Sequence, residues 1–302
     1  MPVLLKAWKA IRQPVRAVRY VTSVVRGATV WESRFEALRP PKRRGAVPHS
    51  PDVEEALVRE LEASGFAISQ QDIDIEDFRR FVARADYRRF PTYCAGGRSR
   101  DFVEKSLEHY LASRALGLQS DDVYIDVASY DSPAPRIYRE IFGCTTYRQD
   151  IVFPTGVHGD RIGGDAGALP LQDGFASAMA LHNAFEHFEG DSDTRFIREA
   201  GRVLSARGRL CIVPLFLFHT YAIQTDPSVW PPGGVDFDDD AVIYCERGWR
   251  NRHGRFYDVP RLVSRIRDHV GPLRMRIVVY RNTRRIDPGC YAKFLALFER
   301  AG

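Results

Sequence analysis

The stretch Val123-Tyr-Ile-Asp-Val-Ala-Ser-Tyr-Asp-Ser-Pro133 decides the fold, because it joins a short strand to a helix through a polar turn. Its first five residues, 123–127, are rich in β-branched side chains and predict a buried strand. Proline suits the first turn of a helix, and residues 134–142 continue with apolar side chains at helical spacing. A strand, a turn and a helix are therefore predicted in succession.

The same alternation continues on both sides of this stretch. Further helices are predicted at 101–116, 193–204 and 259–270, and further strands at 145–149, 177–181, 209–217 and 275–280. The pattern of residues 291–298 is compatible with a helix or a strand and suits a final buried strand slightly better. Strands that alternate with helices indicate an α/β fold with a parallel sheet and right-handed crossovers.

The first 97 residues form a separate, accessory region in this interpretation, and residues 98–302 form the α/β domain. Residues 3–26 predict a basic amphipathic helix that carries Trp8 on its apolar side. Such a helix can lie on an anionic membrane surface, pack on the protein's own core or bind a partner protein. A basic, proline-bearing linker at 39–45 and helices at 51–63 and 76–85 are expected to complete the region.

Composition narrows the class of protein. The chain has 302 residues, a net charge of +5 and 44% apolar residues, which is enough for a globular core without covalent cross-links. Its five cysteines are dispersed and form no paired motif, so we expect neither a metal site nor a disulfide framework, and a reducing cytoplasm fits best. A recognisable nucleic-acid-binding pattern is missing, and no nucleic-acid partner is expected.

Polar residues follow several predicted strands at the point where each strand ends. Asp126 and Asp150 close the first two strands, Gly163–Ala166 precedes the next one, and residues 182–187 follow it. Ligands of open α/β sheets bind outside the carboxyl ends of the strands, near the switch in strand order. We therefore expect one site to be built from these segments.

Over roughly residues 99–217, the order of these features resembles the class I S-adenosylmethionine-dependent methyltransferases. The matching segments are Asp126–Ser132, Asp150, Gly164-Asp165-Ala166, Leu169–Phe175, His182–His187 and the helix, turn and strand from Phe196 to Leu210. No single motif is decisive, but their order is fairly specific.

The resemblance implies a mostly parallel, Rossmann-like sheet with an antiparallel last strand, helices on both faces and an N-terminal helical extension. It also implies an S-adenosylmethionine site, with contacts from Asp126, Ala128, Ser129, Tyr130, Asp150, Asp165, Ala166 and His182. One departure is clear, because Ala128, Tyr130 and Ser132 fill the three positions at which the family favours glycine.

The activity implied by the resemblance is methyl transfer, with oxygen of a small molecule or glycan as the expected acceptor. The setting would be bacterial surface-polysaccharide or secondary metabolism, in the cytoplasm or at the inner membrane face. His187 and His182, together with Glu186, are the candidates for catalytic residues that accept the acceptor's proton. Two alternatives stay open: a degenerate methyltransferase fold that serves as a binding or partner module, and a different α/β enzyme such as a sugar-modifying one.

Overall fold

The structure, a computed structural model, describes residues 29–302 and divides them into two compact units. One unit comprises residues 29–48 and Thr220–Gly254, and the other comprises His49–His219 and Arg255–Gly302. The helix predicted at 3–26 lies outside the described residues. This division differs from the predicted boundary after residue 97, because residues 49–97 are part of the same compact unit as the α/β sheet.

The elements are numbered in chain order. The strands are β1 (Lys42–Arg44), β2 (Ala67–Gln71), β3 (Val123–Asp126), β4 (Thr145–Asp150), β5 (Gly156–His158), β6 (Arg161–Gly163), β7 (Ala176–His182), β8 (Leu204–Val213), β9 (Ala222–Thr225), β10 (Val242–Cys245), β11 (Gly254–Phe256), β12 (Leu273–Tyr280) and β13 (Phe294–Arg300). After a helical stretch at residues 29–37, the helices longer than one turn are α1 (Pro51–Ala63), α2 (Ile75–Ala85), α3 (Phe102–Leu116), α4 (Ala134–Phe142), α5 (Ser192–Val203) and α6 (Val259–Arg265).

The larger unit is built on a sheet of nine strands in the order β2-β12-β13-β8-β7-β3-β4-β6-β5. Strand β13 is antiparallel to both β12 and β8, and β5 is antiparallel to β6, whereas the other neighbours are parallel. From β3 the chain first adds β4 and β6 on one side and later β7 and β8 on the other. This is the class I methyltransferase arrangement, so the predicted fold and its antiparallel last strand are confirmed.

Helices cover both faces of this sheet because successive strand residues point to opposite sides. On one face, Tyr124, Ala180 and Cys211 belong to a buried cluster with α2, α3 and α4. Alternate residues such as Ile125, Met179 and Leu210 are also fully buried, and the buried apolar side chains of α1, α5 and α6 lie outside that cluster. The strands are therefore buried on both sides, as parallel sheets require.

Two parts of the N-terminal region differ from the predicted helical extension. Strand β2 pairs with β12 at the edge of the large sheet, and β1 lies within the predicted linker. The sequence of β2, Ala-Ile-Ser-Gln-Gln, is largely polar because both of its ends are exposed and only one neighbour strand covers it. Helices α1 and α2 agree with the prediction, and Asp74 caps α2 by accepting a hydrogen bond from Asp77 N at 2.9 Å.

The smaller unit has a parallel arrangement in which β10 pairs with β1 on one side and with β9 on the other. Residues 29–37 are helical, and the rings of Trp31 and Phe35 stack 5.3 Å apart. The guanidinium groups of Arg44 and Arg247 lie 5.2 and 4.9 Å from the centre of the Trp31 ring. The part of the chain that the structure describes has no helix long and apolar enough to cross a bilayer.

A buried ion cluster fixes the start of α5 in the larger unit. Asp193 is fully buried, and its carboxylate lies 2.9 Å from Arg255 Nη1 and 2.7 Å from Arg265 Nη2. Tyr257 also donates its hydroxyl hydrogen to Asp193 at 2.6 Å. Removing one partner of such a cluster leaves buried charge without compensation.

We therefore expect Asp193→Asn to destabilise the protein by about 3–5 kcal/mol, measured by urea unfolding. Asp191→Asn is the matched control, because Asp191 borders the same helix and pairs with Arg195, but its side chain is 76% exposed. The control should change stability much less. Equal effects of the two substitutions would contradict the role assigned to the buried cluster.

Candidate functional site

Five of the predicted site residues line one cleft where the carboxyl ends of β3, β4 and β7 lie side by side, namely Asp126, Ala128, Ser129, Tyr130 and His182. The other predicted residues, Asp150, Asp165, Ala166, Glu186 and His187, are not among those that line it. The loop after β3 carries Ala128 at φ +53° and Tyr130 at φ +40°. Both values lie in the left-handed region, which glycine enters without strain. The loop therefore has the backbone conformation that glycines would favour, although its side chains differ.

Strand β4 holds this loop in place. Ala128 N donates to Gln149 Oε1 at 3.1 Å, and Ser129 N donates to the Gln149 carbonyl at 2.9 Å. Tyr130 N donates to Asp150 Oδ2 at 2.9 Å, while Asp150 Oδ1 accepts from Val152 N at 3.0 Å. These bonds offset the cost of two strained residues, since a left-handed conformation persists only where its surroundings enforce it.

Tyr130 does not occupy the site. Its side chain borders a cleft of about 230 Å³, but the residue is 63% exposed. The cleft is lined by Tyr93, Lys105, Asp126, Val127, Ala128, Ser129, Tyr130, Asp131, Ser132, His182 and Asn183. The tyrosine in place of a glycine therefore lines the cleft while most of its surface stays in contact with solvent.

Two buried polar atoms of the cleft lack hydrogen-bond partners within residues 29–302. They are Asp126 Oδ2 and Ser129 Oγ, on residues that are 1% and 6% exposed. The other carboxylate oxygen of Asp126 accepts from the Tyr124 hydroxyl at 2.9 Å and lies 2.9 Å from His182 Nδ1. Buried polar groups are nearly always paired, so two unpaired atoms in one cleft indicate a place for a polar ligand.

His182 is part of a buried network. Its Nε2 lies 3.2 Å from the Tyr138 hydroxyl, which donates to the carbonyl of His109 at 2.6 Å. Both ring nitrogens of His182 are thus engaged, one by Asp126 and one by Tyr138, and the side chain is 5% exposed. Burial lowers the pKa of the adjacent His109, so that imidazole is neutral. This environment suits a residue that orients Asp126.

His187 and Glu186 lie in a short turn, Phe185–His187, soon after β7. Glu186 is buried, and its Oε1 lies 3.5 Å from Nε2 of His187. The His187 side chain is 34% exposed.

The predicted segment Gly164–Ala166 is joined to the same site through Gln149, whose Nε2 donates to the Gly164 carbonyl at 2.7 Å. The Asp165 carboxylate is held from two sides: Oδ2 accepts from Arg195 Nη1 at 2.6 Å, and Oδ1 accepts from Gly167 N at 2.8 Å. Ala166 is buried. Asp165 therefore anchors this segment to α5 as well as lying near the predicted site.

Sequence reasoning missed the contribution of α3. Lys105 on this helix lines the cleft, and its Nζ lies 3.0 Å from Oε1 of the fully buried Glu108. Glu104, also buried, accepts from Tyr291 N at 3.0 Å with Oε2. Buried residues of charged types cannot be recognised from hydrophobic periodicity, because the spacing of apolar residues shows only which apolar side chains are buried. Gln149 in β4 and Asn183 just after β7 were not singled out from the sequence either.

Comparison with known proteins gives structural similarity only. No protein-family model matches the chain, and no curated protein matches it. A Burkholderia thailandensis 1,6-didemethyltoxoflavin-N1-methyltransferase, solved with S-adenosylhomocysteine, is 12% identical with a TM-score of 0.43, covering 85% of this chain and 93% of that one. Geranyl diphosphate C-methyltransferase from Streptomyces coelicolor A3(2) has the same identity, TM-score and coverage of this chain, with 100% of its own.

A third similar structure contains a methyltransferase in complex with the Haloferax volcanii activator Trm112. It is 12% identical with a TM-score of 0.41, and the match covers 72% of this chain and 98% of that one. Similarities of this size carry no information about substrate.

The buried acid Glu104 predicts a pH dependence of stability. Burial and the neighbouring Glu108 raise the pKa of Glu104 to about 8, although Tyr291 N and Lys105 act in the opposite direction. The folded protein then keeps a proton that the unfolded chain releases above about pH 4.3. The stability that this retained proton contributes is fully present below about pH 4.3 and is lost as the pH rises through 8.

Glu104→Gln should therefore flatten the decline in the free energy of unfolding between pH 5 and 8. Urea unfolding at several pH values measures the slope, with the exposed Glu60→Gln on α1 as a control that keeps the wild-type slope. A slope that Glu104→Gln leaves unchanged would show that this carboxyl does not retain its proton.

Proposed function

We propose that the protein is an S-adenosylmethionine-dependent methyltransferase. The observation that carries this proposal is the pair of unpaired buried atoms, Asp126 Oδ2 and Ser129 Oγ, below a loop whose backbone has left-handed residues. Asp126 Oδ2 can accept a hydrogen bond from an ammonium or hydroxyl group, and Ser129 Oγ can donate one to a carboxylate; S-adenosylmethionine carries all three groups.

The residues of the cleft fit this cofactor. Lys105 supplies a cation for the methionine carboxylate, next to the loop that begins at Val127. We assign the ribose hydroxyls to Asp150 at the end of β4, because a carboxylate has further lone pairs beyond the two amide bonds that it accepts. Ile151 and Val152, 74% and 63% exposed, offer apolar side chains for the adenine ring.

S-Adenosylmethionine supplies a methyl group on a positively charged sulfur, which is already activated for displacement. The protein's residues then have to orient the acceptor, exclude water and receive the acceptor's proton. We assign the proton to the imidazole of His187, whose Nε2 lies 3.5 Å from Oε1 of Glu186. His182 instead positions Asp126 through the bond at Nδ1.

The acceptor is proposed to be a hydroxyl oxygen of a small molecule or glycan. The second candidate function is binding without methyl transfer. It is favoured by one observation, namely that both oxygens of Asp150 are engaged by backbone N–H groups, Oδ2 by Tyr130 of the loop and Oδ1 by Val152 just after β4. The two functions differ in whether the cleft binds the cofactor.

Substitutions at Ala128 test the cofactor site. Ala128→Gly keeps the left-handed backbone without strain, so affinity for S-adenosylhomocysteine should stay within about threefold of wild type. A β-branched residue disfavours this conformation, and Ala128→Val should weaken binding by at least about tenfold. Tyr130→Ala should have little effect because its ring is exposed.

Isothermal titration calorimetry measures these affinities, with circular dichroism as a check that each variant is folded. Equal affinity of Ala128→Gly and Ala128→Val would place the cofactor elsewhere. A large gain in affinity for Tyr130→Ala would mean that the tyrosine obstructs the cleft.

The basic segment 3–26 leads to a separate prediction, namely attachment to the cytoplasmic face of an anionic membrane. Deleting residues 1–26 should abolish sedimentation with vesicles that contain phosphatidylglycerol, and neutral phosphatidylcholine vesicles are the control. Equal sedimentation of the truncated and full-length proteins would contradict membrane attachment through this segment.

A further inference from the structure

A second cavity lies at the same edge of the large sheet as the cofactor cleft. Its volume is about 500 Å³. It is bordered by the first turns of α1, by residues 215–217 after β8 and by residues 288–294 before and at the start of β13. Since β13 is antiparallel to β8, the start of β13 and the end of β8 meet at the carboxyl edge.

A hydrogen bond joins a wall of the cavity to a wall of the cleft. Tyr291 lines the cavity and Asn183 lines the cleft, and the Tyr291 hydroxyl donates to Asn183 Oδ1 at 3.1 Å. The Tyr291 backbone is held on both sides, because its N–H donates to Glu104 Oε2 at 3.0 Å and its carbonyl accepts from Lys293 N at 2.7 Å. The Tyr291 side chain therefore reaches from the cavity to the edge of the cleft.

The walls of the cavity favour a planar apolar ligand. Leu57, Leu215 and Leu217 are almost completely buried and supply aliphatic surface. The ring of Phe216 stacks on that of Tyr291 with 5.7 Å between their centres. An aromatic ring can pack against such a pair, whereas the hydroxyl groups of a sugar would lose water without gaining partners on the leucine walls.

The charged groups of the cavity leave an excess of one positive charge. The Glu54 carboxylate lies 2.5 Å from Arg284 Nη2 and 3.7 Å from Lys293 Nζ, so two cations share one anion. Burial lowers the pKa of His49, the other titratable group facing this carboxylate, although Glu54 acts in the opposite direction. His49 is then neutral at pH 7, and the excess charge can be balanced by one anionic group on a ligand.

We infer that this cavity binds the methyl acceptor, a small aromatic hydroxy acid whose anionic group faces Lys293 and whose hydroxyl reaches the cleft past Tyr291. This inference rests on the proposed function. In the reaction, the acceptor oxygen forms a bond to the methyl carbon while the carbon–sulfur bond breaks and its electron pair stays on sulfur. The hydroxyl proton is transferred to His187, and the products are a methyl ether and S-adenosylhomocysteine.

Three probe compounds distinguish the contribution of the aromatic ring from that of the anionic group. 3,4-Dihydroxybenzoate is aromatic and anionic, catechol is aromatic and neutral, and glucuronate is anionic without an aromatic ring. Calorimetric titration should show that 3,4-dihydroxybenzoate binds at least about tenfold more tightly than either of the others. Equal or tighter binding of glucuronate, or no binding of 3,4-dihydroxybenzoate, would overturn the inference.

Lys293→Gln tests the charge. It should weaken binding of 3,4-dihydroxybenzoate by at least about fivefold and leave catechol unchanged, because only the former carries the anion. Arg274→Gln is the matched control at the amino end of β12, and it should change neither affinity. A direct contact with Lys293 would be contradicted if Lys293→Gln weakened the binding of both ligands equally. It would also be contradicted if Arg274→Gln weakened the binding of 3,4-dihydroxybenzoate as much as Lys293→Gln does.

Coupling between the two ligands tests their adjacency. Saturating S-adenosylhomocysteine should change the affinity of the wild-type protein for 3,4-dihydroxybenzoate by at least about threefold, and Tyr291→Phe should reduce this coupling. Binding of S-adenosylhomocysteine without binding of 3,4-dihydroxybenzoate would overturn the acceptor site and leave the cofactor proposal standing. Failure to bind S-adenosylhomocysteine would overturn the proposed function, and with it the role of the cavity as an acceptor site.

Discussion

The bonds from Ala128 N and Tyr130 N to the side chains of Gln149 and Asp150 hold the candidate site together. They keep two residues with side chains in a conformation that glycine adopts more easily. Without them the loop would relax, and Ser129 and Asp126 would no longer line one cleft. The amide of Gln149 extends the same network to Gly164, so three segments that are distant in sequence depend on one side chain.

Strong local patterns made much of the fold predictable. The β-branched run at 123–127 and the helix at 134–142 agree with β3 and α4, and the apolar pattern near the C-terminus agrees with strand β13. Strand β2 has little apolar surface because it lies at an edge, and its five residues resemble a loop. The strands β9 and β10 of the smaller unit were missed too, because the polar and glycine-rich residues between them obscure the alternation.

The location of the candidate site could be predicted from the sequence, but the roles of its residues could be predicted only in part. Asp126, Asp150 and His182 could be identified because they stand at the ends of strands, where α/β sheets bind ligands of any chemical class. Their hydrogen bonds could not be read from sequence. Asp150 holds the loop, Asp165 is paired with Arg195, and His182 is engaged at both nitrogens. Lys105 enters from a helix whose buried face is partly charged.

Polar groups concentrate at the carboxyl edge of the sheet. Their burial lowers the stability of the fold, and a bound ligand can offset this loss. Glu104 and Glu108 are buried close to each other, and both have raised pKa values because of burial. Their neighbours Lys105 and Tyr291 border the cleft and the cavity, respectively. Helix α3 thus links the two spaces, because its buried Glu108 pairs with Lys105 and its buried Glu104 accepts from Tyr291 N, and these two partners would face the two ligands.

A crystal structure of the protein soaked with S-adenosylhomocysteine would show whether the cleft is the cofactor site. We expect electron density for the ligand against residues 128–132, with Asp126 Oδ2 or Ser129 Oγ within hydrogen-bond distance of it and the Tyr130 ring outside the cleft. A loop in which the Tyr130 ring fills the cleft, or a ligand bound away from the carboxyl ends of β3 and β4, would contradict a cofactor site in this cleft.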